Sequence, residues 1–142
     1  MCATRKIADE TALAALAAEI AAEARVGDLI ALRGPLGVGK TTFARAFIRA
    51  LGGDEDVPSP TFTLVQTYAL APSPVAHFDL YRLENAEELW ELGIEDALAD
   101  GIVLMEWPER AEALLPPTRL DIEMAFANGG RRVSLCRMGV AA

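Results

Sequence analysis

A glycine-rich stretch, Gly34-Pro35-Leu36-Gly37-Val38-Gly39-Lys40-Thr41, follows a short apolar run from Leu29 to Leu32 and precedes a segment with helical apolar spacing. No other feature restricts the fold of this chain so tightly. The pattern is G-x-x-x-x-G-K-[ST] in its strand–loop–helix setting, the phosphate-binding loop of α/β proteins. Backbone N–H groups bind polyphosphate oxygens only if the chain approaches closely, and Gly34, Gly37 and Gly39 give it that freedom. The helix behind the loop directs its unpaired first-turn N–H groups, those of Thr41 and Thr42 among them, and its positive dipole end at the anion. Lys40 is placed to reach the β- and γ-phosphates, and the Thr41 hydroxyl to ligate Mg²⁺. Lys6 and Lys40 are the only lysines in a chain otherwise served by arginine, so a lysine at this position is not a by-product of composition.

The rest of the chain reads as an α/β sandwich. Thr4 to Ala8 predicts an edge strand, and Asp9 the cap of a helix with Leu13, Leu16 and Ile20 on one face. The helix after the loop should bury Phe43, Phe47, Ile48 and Leu51 and stop at Gly52-Gly53. Thr61 to Leu70 and Val75 to Leu80 predict a β-hairpin, and Glu84 to Leu92 and Ile94 to Ala99 two helices. Ile102 to Met105 is uniformly apolar, as in a strand covered on both faces. Pro108 suits the start of a helix over Glu109 to Leu115, and Asn128-Gly129-Gly130 a turn between strands Arg119 to Ala127 and Arg131 to Arg137. The fold class expected is a three-layer P-loop NTPase-like α/β fold, its mixed sheet having a parallel centre and antiparallel additions, in one domain over residues 1–142.

In such sheets ligands collect at the carboxyl ends of the parallel strands. Glu106 directly follows the apolar run and Asp79 follows Val75-Ala76-His77-Phe78, so both are candidates for Mg²⁺ ligation or for orienting a water. The sequence leaves open which does which. Thr61, in Ser59-Pro60-Thr61, is either a nucleotide-sensing hydroxyl or part of an ordinary turn. Arg82 either neutralises transition-state charge or lies at the surface. Trp107 either packs near the nucleotide or fills core. His77, the sole histidine, reads as a hydrogen-bonded strand residue rather than a catalyst.

A net charge of −8, from 21 acidic against 13 basic residues, disfavours unaided nucleic-acid binding and suits a protein partner better. Cys2 and Cys136 are far apart and form no C-x-x-C spacing, so neither a metal site nor a disulfide is expected and a reducing compartment is the simpler reading. The alanine-rich segment Thr11 to Ala24 faintly mimics a signal peptide. Acids in and beside it (Asp9, Glu10, Glu19, Glu23) argue against a membrane role, and a cytoplasmic protein is expected.

Four blocks carry a family resemblance: Gly34 to Thr42, Ser59-Pro60-Thr61-Phe62, His77-Phe78-Asp79-Leu80-Tyr81-Arg82 and Glu106-Trp107-Pro108-Glu109. In that order they resemble the TsaE (YjeE) family, small bacterial ATPases of tRNA threonylcarbamoyladenosine biosynthesis. The resemblance runs from about Gly27 through the Glu109 helix. It implies ATP with Mg²⁺, slow intrinsic hydrolysis, and an accessory role toward the TsaB–TsaD complex that modifies adenosine 37 of tRNA; tRNA contact is expected to be indirect, though the sequence leaves direct contact open. It further implies that Lys40 binds phosphate, that Thr41 and Glu106 handle the metal, and that Asp79, Thr61 and Trp107 surround the nucleotide. Two alternatives are a small-molecule kinase and a nucleotide-binding module without significant turnover. A GTPase fits less well, since no N-K-x-D-type base-reading motif follows the loop.

Overall fold

The structure is a computed structural model that describes residues 2–53, 64–71 and 73–139. Thr61 and the rest of the Ser59 to Phe62 block lie outside the described residues. The elements in order are β1 (Cys2–Ile7), α1 (Glu10–Glu23), β2 (Leu29–Arg33), α2 (Lys40–Ala50), β3 (Val65–Tyr68), β4 (Val75–Asp79), α3 (Glu88–Glu91), α4 (Ile94–Asp100), β5 (Ile102–Glu106), a 3-10 segment (Pro108–Leu114), β6 (Arg119–Ala127) and β7 (Gly130–Met138). The strands form a seven-stranded sheet in the order β1-β7-β6-β2-β5-β4-β3. Strands β6, β2, β5 and β4 are mutually parallel, while β1, β7 and β3 join antiparallel.

Strand alternation assigns the two faces. Ile30 and Leu32 of β2 and Ile102 and Leu104 of β5 point to the side covered by α1 and α2, where Leu13, Leu16, Phe43, Phe47 and Ile48 are buried. Leu29 and Ala31, with Val103 and Met105, point to the other side and meet Leu89, Ile94, Ala111 and Leu115. These are the three layers expected. Burial of Phe43 and Phe47, both fully enclosed, contributes about 2–3 kcal/mol each and fixes α2 to the sheet. Asp9 caps α1 as its sequence position suggests, its Oδ1 accepting from the Ala12 N–H at 2.8 Å.

Three expectations need correction. Cys2 and Cys136 are bonded to each other: they are register partners across the antiparallel β1–β7 pair, a juxtaposition that sheet topology creates and local spacing cannot reveal. The cysteine-based ground for a reducing compartment therefore falls. The helix expected over Glu84 to Leu92 is reduced to Glu88–Glu91. Asn85 holds the preceding turn, its Oδ1 accepting from the Glu87 N–H and its carbonyl from the Glu88 N–H. Glu84, Glu87, Glu88 and Glu91 are spaced three and four apart, so a longer helix would line them up to repel one another. The segment after Pro108 is 3-10 rather than α-helical, and the buried Ala111 leaves helical geometry within it (φ −139°, ψ 35°).

That segment is held to the central strand by charge. Arg33, at the end of β2, donates to both carboxylate oxygens of Glu112 at 2.6 and 3.0 Å, and contacts Asp121 of β6 at 3.3 Å. The Arg33 hydrogen bonds hold the Glu112 carboxyl below its ordinary value, and Arg33 is raised in return. A depressed carboxyl stabilises the fold above its unfolded value near 4.5 and loses that contribution as pH falls through its folded value. Glu112 is half-exposed, so about 1 kcal/mol is at stake. Urea unfolding followed from pH 7 to pH 3 should show a shallower acid limb for Glu112→Gln than for the parent.

Candidate functional site

The glycine loop leaves β2 and enters α2 with Gly34, Gly37 and Gly39 all at positive φ (+142°, +80°, +122°). Two of these have neighbours that a side chain would strike. A Cβ on Gly34 would lie 2.5 Å from the Met124 carbonyl oxygen, and one on Gly39 3.1 Å from Leu13 Cδ2. Gly39 precedes Lys40 as the cap position of α2, so the first-turn N–H groups of the helix open toward the loop. Val38 is fully buried in the α1–α2 core, and its carbonyl accepts from Arg131 Nε of the β6–β7 hairpin. Leu36, at the loop tip, is exposed.

Lys40 is almost wholly enclosed. Its Nζ donates to the Gly34 carbonyl at 2.6 Å and stands 3.3 Å from the centre of the Trp107 ring. Burial pushes the ammonium below its ordinary pKa, and the nearby carboxylates of Glu106, Glu109 and Asp79 oppose that shift. The Thr41 hydroxyl lies 2.9 and 3.1 Å from the two oxygens of Glu106. Register makes Asp79 the direct neighbour of Glu106 across the parallel β4–β5 pair. Asp79 is buried, and its Oδ1 accepts from the Tyr81 N–H at 3.0 Å.

These groups share one cavity of about 260 Å³, lined by Leu36, Gly37, Gly39, Lys40, Thr41, Thr42, Asp79, Tyr81, Glu106 and Trp107. Of the residues singled out from sequence, Leu36, Gly37 and Gly39 to Thr42 of the loop are thus brought together with Asp79, Glu106 and Trp107, while Gly34 and Val38 do not line the cavity. Arg82 is not: it is exposed and does not line the cavity. Trp107 takes a left-handed backbone (φ 58°, ψ 47°), which turns the chain sharply after β5. Its ring lies 5.0 Å from that of Tyr81.

Among the described residues, no three of His, Cys, Asp or Glu converge as a protein-only metal cage. The donors present are a hydroxyl and carboxylates, all hard oxygens. Such an incomplete oxygen set fits Mg²⁺, which keeps waters and takes substrate phosphate oxygens as further ligands.

His77 is the hydrogen-bonded strand residue expected, but sequence reasoning missed its partner and one further contact. His77, fully buried on β4, places Nε2 2.6 Å from Glu106 Oε2. The period-two spacing of His77 and Asp79 puts both on one strand face and was the available signal. Arg131 bonds to Val38 across 93 positions of sequence, and nothing local indicates that contact.

A mixed sheet whose central strand runs into a glycine loop and helix, with acids at the ends of neighbouring parallel strands, defines the P-loop NTPase-like class of α/β folds. Residues 7–133 match the family described as threonylcarbamoyl adenosine biosynthesis protein TsaE. The chain is 38% identical over 119 residues to the tRNA threonylcarbamoyladenosine biosynthesis protein TsaE of Rickettsia felis, covering 83% of this chain and 70% of that one. It is 40% identical over 119 residues to the Bacillus subtilis protein of the same name, covering 83% and 74%. A crystal structure of Bacillus subtilis YdiB superposes with a TM-score of 0.84 at 30% identity, covering 98% of this chain and 87% of that one. The chain belongs to the TsaE family.

Proposed function

We propose that this chain is a Mg²⁺-dependent, slow ATPase that acts as a nucleotide switch on a TsaB–TsaD-type complex in tRNA threonylcarbamoyladenosine modification. The observation that carries the nucleotide part is the convergence of Lys40, Thr41, Glu106 and Asp79 on the mouth of the glycine loop. Family membership carries the pathway.

Each side chain has a task that its present contacts support. Lys40 turns from the Gly34 carbonyl to the β- and γ-phosphate oxygens, an exchange of one oxygen partner for charged ones. Thr41 and Glu106, already within hydrogen-bond distance, are the pair to hold the metal. Mg²⁺ held there would neutralise charge on the phosphate oxygens. Asp79, the register neighbour of Glu106 in the same cavity, is the acid to orient the attacking water. Trp107 and Tyr81 form an aromatic wall on the far side of Lys40 and limit water access to it.

The excess of acidic residues supports a protein partner, with tRNA reached through it. No helix among the described residues is long and apolar enough to cross a membrane. A cytoplasmic location follows here from the tRNA pathway alone, since the cysteines give no support for it.

The test is co-purification with TsaB and TsaD, with ATP·Mg²⁺, with ADP·Mg²⁺ and without nucleotide, alongside phosphate release. Retention that depends on ATP, and turnover that rises when the partners are added, are the expected results. Retention indifferent to nucleotide would refute the switch. Phosphoryl transfer to a metabolite would favour a kinase instead.

A further inference from the structure

We infer that His77 is a positioning residue for the metal site, holding the Glu106 carboxylate so that it faces Thr41 rather than Lys40. This rests on the reading of Glu106 as a metal ligand.

Glu106 is buried between three groups that compete for it. The Thr41 hydroxyl lies on one side, 2.9 Å from Oε1 and 3.1 Å from Oε2. Lys40 lines the same cavity as Glu106, and the Glu106 charge favours its ammonium form. His77 Nε2 approaches Oε2 to 2.6 Å from β4. Without a third contact, a buried carboxylate beside a partly desolvated ammonium turns to pair with it, because the Coulomb attraction strengthens where water is excluded. A carboxylate oxygen at that distance requires Nε2 to carry its hydrogen, so the ring donates and pins one oxygen.

The surroundings of the ring leave it no other polar task. His77 is fully enclosed, and its Nδ1 has no hydrogen-bond partner among the described residues. Burying an unsatisfied ring nitrogen is unfavourable, so an aliphatic residue would fill this position better if packing were all that mattered. Strand neighbours show what packing alone selects: Val75, Ala76 and Phe78 are all buried and apolar. Histidine supports Glu106 as an outer partner supports a metal ligand, by fixing which oxygen the ligand presents.

The experiment measures affinity for a non-hydrolysable ATP analogue by calorimetry, in Mg²⁺ and in EDTA. The proteins are the parent, His77→Gln, His77→Asn, His77→Leu and Glu106→Gln. The Mg²⁺-dependent gain in affinity should fall about 10–100-fold in His77→Leu, with affinity in EDTA unchanged. Gln can set an amide N–H where Nε2 stood and should restore most of the gain. Asn, whose amide falls at the Nδ1 position, should not, and it decides the question if the Leu variant fails to fold. An undiminished gain in both Leu and Asn variants would overturn the inference while the loss in Glu106→Gln left the metal reading standing. A parent protein with no Mg²⁺-dependent gain would overturn both.

Discussion

Replacing Lys40 by methionine should weaken ATP binding about 100-fold, close to 3 kcal/mol, while leaving the melting temperature unchanged or higher. The two halves have different causes. The ammonium is the point charge at the loop, and phosphate oxygens lose a charge-assisted partner when it is removed. Stability does not follow, because burial already pushes Lys40 below its ordinary pKa of 10.5. A lysine whose folded pKa is lowered opposes folding while it is charged, and that penalty fades as pH rises from the folded value toward 10.5. Methionine keeps the buried aliphatic stem and removes the charge. The lost bond to the Gly34 carbonyl offsets part of the gain. Calorimetric titration with ATP·Mg²⁺ and thermal melts at pH 7 and pH 10 check both halves. A variant that bound ATP like the parent would remove Lys40 from the site, and one that melted far lower would make it structural.

The second large effect lies in the backbone of the same loop. Gly34→Ala should lower the melting temperature by roughly 10 °C, from a cost of about 3–4 kcal/mol spread over a domain of this size. The glycine takes φ +142°, a conformation that alanine avoids, and its added Cβ would stand 2.5 Å from the Met124 carbonyl oxygen. That oxygen belongs to the backbone of β6, which is tied to β2 and β7 on either side, so it cannot move aside alone. Nucleotide binding should weaken too, since any relief comes from shifting the loop. Gly37→Ala is the control: its φ of +80° is also strained, but nothing lies within 4 Å of the added carbon. If the two variants melted together, contact with β6 would not be the cause.

Much of this molecule is legible along the chain because the controlling interactions are local. Capping by Asp9, the burial of Phe43, Phe47 and Ile48 on α2, and the apolar run Ile102 to Met105 of β5 each follow from residues within one or two turns, and each appears where expected. The phosphate loop is legible for the same reason, since its glycines and Lys40 act through the backbone they interrupt. Failures begin where two segments meet. The Glu84 to Leu92 helix is shortened by an Asn85 turn and by repulsion among its glutamates, both finer than apolar spacing.

Sequence by itself determined the class of fold, the loop, and the acids Asp79 and Glu106 as strand-end groups, because strand period and loop chemistry are properties of contiguous residues. Only the tertiary structure decided that Glu106 faces Thr41, that His77 meets Glu106, that Arg131 bonds to Val38, and that Cys2 meets Cys136. Those pairings depend on strand order and register, which are set by how two apolar faces are covered at once. No short stretch of residues contains that information.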